Sequence, residues 1–391
     1  MISAGELRSK LDPQRHQCFE PPCSFNLTGV DCALPAELLH DAGNLRARSH
    51  AAWRPWNSIR GTGNGREGVR ELRRRSMSWR VDAAGLKRIK RVAEFLTDCQ
   101  ILESREPILG TVCPWELNRS LPAREDYHDT LQALWVWEKY ESLTGDHSFS
   151  ENQEAGWRYV LRNQDRFLSP TSPEALNPSY DSSYVLLATN CGTRLPSERR
   201  LLAERASGVL AESIKSNPDP RLREYFNPWW HVGNLADYGK KRNDRRCLEL
   251  AIAYAEEWLP RMKFRPGFKE EDHSGPGKHD FFSSHGLMIY AACCTDTTSL
   301  LPTGLTDLLP DRFVARKNDE NPWNASVCWG LGRLISVAPN ECLLRSFESI
   351  MEVLFERARR NRGVLARAED FPERESWATF FWIFANSVSP L

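Results

Sequence analysis

Residues 129–146 read DTLQALWVWEKYESLTGD, and this stretch decides the fold class. Its first part is almost wholly apolar, which is typical of a helix that is buried on every side. The turn that follows suits a helix end, because Gly145 can adopt the left-handed conformation and Asp146 can help to start the next helix. The stretch therefore predicts a helical hairpin whose first helix is buried.

The same pattern recurs about every fifty residues, which is typical of repeated supersecondary units. A short polar and aromatic cluster leads into an apolar helix, and a charged amphipathic helix follows it. The clusters lie at residues 125–129, 180–184, 227–231, 279–285, 321–324 and 373–377. Because no single hairpin can bury its own apolar face, we predict an all-α fold, an (α/α)6-type toroid of about six hairpins with the apolar helices inside.

The start of the repeat sets the predicted domain organisation. Residues 1–64 show no clear periodicity, so we expect an irregular segment that wraps the main domain or is partly disordered. The toroid, as the catalytic domain, is predicted to span residues 65–391. No Val, Ile and Thr alternation indicates a sheet.

Composition narrows the partners and the compartment. The 52 basic and 52 acidic residues cancel, which argues against nucleic acid as a partner and leaves a small-molecule substrate. A polar N-terminus, 11 scattered cysteines and no long apolar run predict a cytoplasmic protein with reduced thiols and no membrane span. No cofactor and no metal site is predicted, because the cysteines fit no zinc spacing. The oligomeric state stays open.

The hairpin at residues 129–146, with its Leu-Thr-Gly-Asp turn, resembles those of the six-hairpin glycosidase superfamily. The resemblance implies an inner and an outer ring of helices. It also implies a glycoside hydrolase, a uronate-acting lyase or a sugar epimerase, and terpenoid cyclases share the toroidal architecture. A fold of this kind does not choose among these activities.

Carboxylates at the starts of inner helices are the first candidates for chemistry, because glycoside hydrolysis needs two of them. Asp126 and Asp181 lie about one repeat apart and form the pair we expect to act as acid and base. The alternative is that Asp126 or Glu125 caps its helix. Asp129, one turn further in, is harder to explain as a cap. Glu375, before the last inner helix, is a further catalytic candidate or part of a solvated loop.

Histidine and aromatic side chains of the later clusters suggest how a sugar is bound. A histidine with a tyrosine and a neutralising Asn or Arg suits β-elimination from a uronate, and tryptophan rings suit sugar rings. His231 is therefore a further catalytic candidate. The substrate-binding candidates are Tyr184, Trp229, Trp230, His279, His285, Trp323, Asn324, Arg374 and Trp377. The plainer alternatives are structural histidines, core-packed tryptophans and a solvated arginine.

Three functions remain open at this point. The first is a glycoside hydrolase acting on a small glycan or a uronate-containing oligosaccharide, with a lyase as a variant. The second is a terpenoid cyclase, dehydratase or isomerase that holds a hydrophobic substrate in the same cavity. The third is a non-enzymatic helical scaffold, in which Asp126, Asp181 and His231 cap helices without sharing a site.

Overall fold

The structure is a computed structural model, and it describes residues 83–103, 107–114, 116–117, 125–172, 178–191, 195–216, 228–262, 281–301, 326–338 and 341–360. Ten α-helices lie within these residues: α1 Ala83–Asp98, α2 Tyr127–Thr144, α3 Ser150–Leu168, α4 Pro178–Thr189, α5 Ser197–Ser216, α6 Pro228–Arg242, α7 Arg245–Trp258, α8 Phe281–Cys294, α9 Ser326–Val337 and α10 Glu341–Arg360. Short 3-10 helices at Leu259–Arg261 and Thr298–Leu300 follow α7 and α8.

The described residues contain no strand, and their sole β feature is an isolated antiparallel bridge between Gln100 and Val112. The predicted all-α fold class is therefore confirmed. The N-terminal segment predicted for residues 1–64 lies outside the described residues. No described helix combines the length and apolar character that crossing a bilayer requires.

Helices of two kinds alternate along the chain. Helices α2, α4, α6, α8 and α9 form an inner row in which each packs against the next, because their surfaces are apolar nearly all round. Helices α3, α5, α7 and α10 carry charges on one face and pack outside α2, α4, α6 and α9 respectively. This arrangement is the predicted alternation of buried and amphipathic helices.

The first and the last described helices meet, so the inner row curves into a ring. The guanidinium of Arg88 in α1 lies 4.6 Å from the ring centroid of Phe355 in α10. The rings of Trp135 in α2 and Trp329 in α9 lie 6.1 Å apart, centroid to centroid. The described helices thus form an α/α toroid. The sixth inner helix, predicted from residue 377 onward, lies outside the described residues.

A belt of aromatic rings joins the five described inner helices across the middle of the toroid. Tyr184, Trp230, Tyr290, Trp329 and Trp135 follow one another around the ring, with successive centroids 5.5, 5.9, 5.6 and 6.1 Å apart. All five side chains are buried. In this aromatic belt successive rings pack against each other in tilted and edge-to-face contacts.

The turn between α2 and α3 has the predicted conformation at Gly145, whose φ is 70°. The backbone N–H of Gly145 donates to the carbonyl of Glu141 at 2.8 Å and so ends α2. Asp146 differs from its predicted role as a helix start. It accepts bonds from Tyr140 and Ser148 and so organises the turn, whereas the N-cap residue of α3 makes no side-chain cap bond.

Candidate active site

The first turns of α2, α4 and α6 meet at one end of the toroid, as predicted for the polar clusters. His128 at the start of α2 contacts Asp181 in the first turn of α4. Ser183, also in α4, hydrogen-bonds His231 in the first turn of α6. Adjacent inner helices therefore present their polar starts to each other.

Three carboxylates surround the imidazole of His128, and we call these four residues the carboxylate–histidine cluster. The Nδ1 atom of His128 lies 3.1 Å from Oδ1 of Asp126 and 3.7 Å from Oδ1 of Asp181. Its Nε2 atom lies 3.8 Å from Oδ1 of Asp129. Because one nitrogen contacts both oxygens, those of Asp126 and Asp181 can be no farther apart than the sum of the two distances, about 6.8 Å.

Asp126 is both the N-cap of α2 and a member of the cluster. Its Oδ1 accepts a hydrogen bond from the backbone N–H of Asp129 at 3.2 Å. The capping alternative is therefore confirmed, but the same oxygen also faces His128. Thr130 fixes the position by donating to the Asp126 carbonyl at 2.7 Å. Capping thus holds the carboxylate in place for the cluster, since the cap restricts its rotamer.

Glu125 has a structural role in this structure. One guanidinium nitrogen of Arg166 contacts both Glu125 carboxylate oxygens, at 2.7 and 2.8 Å. The hydroxyl of Tyr159 donates to the same carboxylate at 2.8 Å. Glu125 thereby ties the start of α2 to α3 and does not cap its helix.

The surroundings of Asp181 favour the protonated form of its carboxyl group, as a proton donor requires. The residue is buried, and burial raises the pKa of its carboxyl well above the ordinary value; the negative charge of Asp126 raises it further. Among the described residues its carboxyl accepts and donates no hydrogen bond. A protonated carboxylic acid in such a place has its proton available for a bound molecule.

The rings of two tyrosines in α4 pack against the imidazole of His128. The ring of Tyr184 lies 5.9 Å away with an interplanar angle of 29°, and the ring of Tyr180 meets it edge-on at 5.2 Å. The two hydroxyl oxygens lie 3.1 Å apart. Burial raises the pKa of both phenols, which disfavours their phenolate forms.

His231 is linked to the helix of Asp181 through Ser183. Its Nδ1 is 2.6 Å from the hydroxyl oxygen of Ser183, and its side chain is buried. Ser183 follows Asp181 by two positions in α4, which places it on a different face of the helix. The catalytic role predicted for His231 stays a prediction, and the described contacts give it a partner in Ser183.

The tryptophans at the start of α6 are core residues here, each 2% exposed. Trp229 turns outward and meets Tyr254 of α7 edge-on at 5.5 Å. Trp230 turns inward and belongs to the aromatic belt. Neither ring offers a free face to a sugar, so core packing describes them and their predicted sugar stacking does not. Tyr184 is also buried but contacts His128.

The other predicted site residues divide into two groups. His285 lies near the start of α8 and is partly buried. The remaining ones lie outside the described residues: His279, Trp323, Asn324, Arg374, Glu375 and Trp377.

Sequence reasoning missed His128 and Tyr180, although both stand inside clusters that it had singled out. The His128 side chain is 28% exposed, and its position in the sequence between Asp126 and Asp129 was the available signal. Asp126, His128 and Asp129 also offer one oxygen or nitrogen each within 4.8 Å of one another, a spacing that would suit a metal ion. Acidic groups of this kind are common without a metal.

No protein-family model and no curated protein matches this chain. The crystal structure of an unsaturated glucuronyl hydrolase from Bacillus sp. GL1, responsible for the degradation of glycosaminoglycan, is similar at a TM-score of 0.49 and 14% sequence identity. The match covers 76% of this chain and 94% of that one.

Proposed function

We propose that this protein is a glycoside hydrolase that acts on a small glycan or a uronate-containing oligosaccharide. One observation carries the proposal. The buried carboxyl group of Asp181, whose pKa is raised, lies within about 6.8 Å of the Asp126 carboxylate, with the His128 imidazole between them. Glycoside hydrolysis requires two carboxyl groups in different surroundings, so that one is a protonated acid and the other an ionised base or nucleophile.

The roles follow from the two environments. Asp181 gives its proton to the glycosidic oxygen as the bond between that oxygen and the anomeric carbon breaks. Asp126 faces the site as the opposing carboxylate, and it either takes a proton from the attacking water or attacks the anomeric carbon itself. In both cases one water is consumed, and Asp181 regains its proton before the next turnover. The anomeric form of the first product, read by NMR, distinguishes the two routes.

A lyase is less well supported by the same residues. β-Elimination needs a base that removes the proton next to the uronate carboxylate. Tyr180 and Tyr184 are the phenols beside His128, and burial raises the pKa of both, which disfavours the phenolate. A buried acid suits protonation of a leaving oxygen better than abstraction of a carbon-bound proton.

The direct test is turnover of a substrate panel by the full chain. The panel comprises unsaturated and intact uronides, neutral disaccharides and an isoprenoid diphosphate as the hydrophobic alternative. We expect stoichiometric release of a new reducing end from one class of glycoside. Cyclisation or isomerisation without release of a reducing end would favour the second function, and no turnover of any substrate would favour a scaffold.

An Asp126→Asn variant is expected to shift the alkaline limb of the pH–rate profile to lower pH. Activity requires protonated Asp181, so the rate falls as the pH rises through the Asp181 pKa. The charge of Asp126 raises that pKa, and asparagine removes the charge. The residual kcat/KM measured against pH reports the shift, as does a ¹³C titration of the Asp181 carboxyl in the same variant.

The matched control for this change is Asp165→Asn in α3. The Asp165 side chain is 88% exposed and pairs with Arg205, and the charge that raises the Asp181 pKa is that of Asp126, not that of Asp165. Its profile should coincide with that of the wild type. An unshifted Asp181 titration in the Asp126 variant would mean that the two carboxyl groups do not interact.

A further inference from the structure

A second charged group lies toward the opposite end of the inner helices. Lys139 in α2 and Arg333 in α9 each lie one helical turn beyond a tryptophan of the aromatic belt, and the rings of these two tryptophans, Trp135 and Trp329, lie 6.1 Å apart. Lys241 in α6 donates to the carbonyl of Asn190, whose neighbour Cys191 contacts the Trp135 carbonyl at 3.8 Å. We call Lys139, Lys241 and Arg333 the cationic cluster. In each of the three helices the cation follows the residue of the aromatic belt, so the belt separates it from the carboxylates. Along α2, Lys139 is roughly 20 Å from Asp126, at 1.5 Å of rise per residue.

Arg333 is the deepest member and is 8% exposed. Its guanidinium carbon lies 5.0 Å from the ring centroid of Trp329 and 5.7 Å from that of Tyr290. Within the part of the chain that the structure describes, the guanidinium forms no salt bridge, and its Nε has no hydrogen-bond partner. Aromatic faces offset part of the cost of burying a cation, but an unpaired buried charge is still expensive.

Among the described residues, Asp237 is the carboxylate that interacts with all three cations, and it is buried. Lys241 already contacts it at 3.3 Å, and the amide of Asn190 lies 3.4 Å from the same oxygen. Burial lowers the pKa of Lys139, and the positive charges of Lys241 and Arg333 lower it further, although Cys191 and Asp237 act the other way.

Helix ends account for some of the cations in this region but not for all of them. Lys241 donates to the carbonyl of Asn190 at 3.0 Å, and Arg242 donates to the carbonyl of Thr189 at 2.7 Å. Both bonds satisfy carbonyls at the end of α4, where positive charge is favourable. Arg333 and Lys139 make no such bond within the described residues.

We propose that Arg333, Lys139 and Lys241 bind a small oxyanion of the phosphate or carboxylate class. An arginine fork suits two oxygens of such a group, and the ammonium groups add charge. The side chain of Lys241 is 35% exposed, so the cluster is open to solvent at that point. The site does not depend on glycoside hydrolysis and lies on the other side of the aromatic belt.

The test is calorimetric titration of the full chain with inorganic phosphate in one arm and glucuronate in the other, at constant ionic strength. We expect a saturable heat and a rise in Tm for at least one anion. Arg333→Met should weaken that binding by about tenfold or more, because charge-assisted hydrogen bonds are lost. Methionine has a similar length and removes an unpaired charge, so the Tm of this variant in chloride should not fall.

Two further variants keep the outcome clear. Lys139→Met should also weaken binding and provides the answer if the Arg333 variant does not fold. Arg345→Met in α10 removes a charge that is 70% exposed and should bind as the wild type does. Binding of phosphate would assign the site to the phosphate class, and binding of glucuronate would assign it to the carboxylate class. If neither anion binds, or if both cluster variants bind with wild-type affinity, the proposal is wrong.

Discussion

The Asp181→Asn variant is expected to lose hydrolytic activity by about 10²- to 10⁴-fold, the usual contribution of a positioned general acid. Asparagine matches the carboxylic acid in size but has no proton to give to a leaving oxygen. Because Asp181 makes no hydrogen bond with the described residues, the substitution breaks no bond of that kind there. The measurement is kcat/KM on whichever glycoside the wild type turns over.

Stability should move in the opposite direction from activity in this variant. The Asp181 pKa is raised in the folded state, so the fold favours the protonated acid. As the pH rises above the unfolded-state pKa, about 3.9, the unfolded chain ionises first, and the wild type loses stability. Asparagine cannot ionise. The Tm of the variant should therefore equal or exceed that of the wild type at neutral pH, and the difference should vanish below that unfolded-state pKa.

The two readouts together separate catalysis from structure. Asp165→Asn, with its exposed side chain, should change neither activity nor Tm. Wild-type activity in the Asp181 variant would mean that another group donates the proton. Lost activity together with a lowered Tm at neutral pH would mean that the carboxyl holds the fold.

The sequence predicts the parts of this fold that depend on periodicity. Helices that are apolar all round have to be inside, and amphipathic ones outside, so the alternation of hairpins follows directly. Asp126 and Asp181 come together because each begins one of two adjacent inner helices. The double role of Asp126 was beyond sequence reasoning, which treated capping and site membership as alternatives.

Side-chain direction explains most of what the sequence did not predict. Trp229 and Trp230 are neighbours, yet one packs outward on Tyr254 and the other inward in the aromatic belt. A helix that is buried on every side has no polar face, so its sequence does not show which side chains point into the toroid and which point outward. For the same reason the sequence did not predict that Arg333 is buried against aromatic rings inside the toroid.

A Gly330→Ala variant is expected to lower the free energy of unfolding by about 3 kcal/mol, at the upper end of what overpacking costs. Helices α8 and α9 approach closely at this residue. A Cβ on Gly330 would lie 2.2 Å from the carbonyl oxygen of Gly286 and 3.1 Å from the Cβ of Ile289. Both belong to α8, and the nearer atom is backbone, so no side-chain rotation relieves the clash.

Gly208→Ala in α5 is the matched control, because it makes the same chemical change within a helix. No atom lies within 4 Å of the Cβ that it would add, and the position is exposed. Alanine should therefore stabilise the protein there by about 0.5 to 1 kcal/mol, through helix propensity and a less flexible unfolded chain. Urea unfolding of both variants gives the comparison.

The Gly330 substitution should also disturb the toroid at a defined place. Trp329 precedes the glycine and closes the aromatic belt onto Trp135 of α2. If alanine forces α9 away from α8, the Trp329 ring has to leave that contact, and tryptophan fluorescence should change before global unfolding. Equal stability of the Gly330 and Gly208 variants would mean that α8 and α9 do not pack at backbone distance, and the inner row of helices would then be wider at that point.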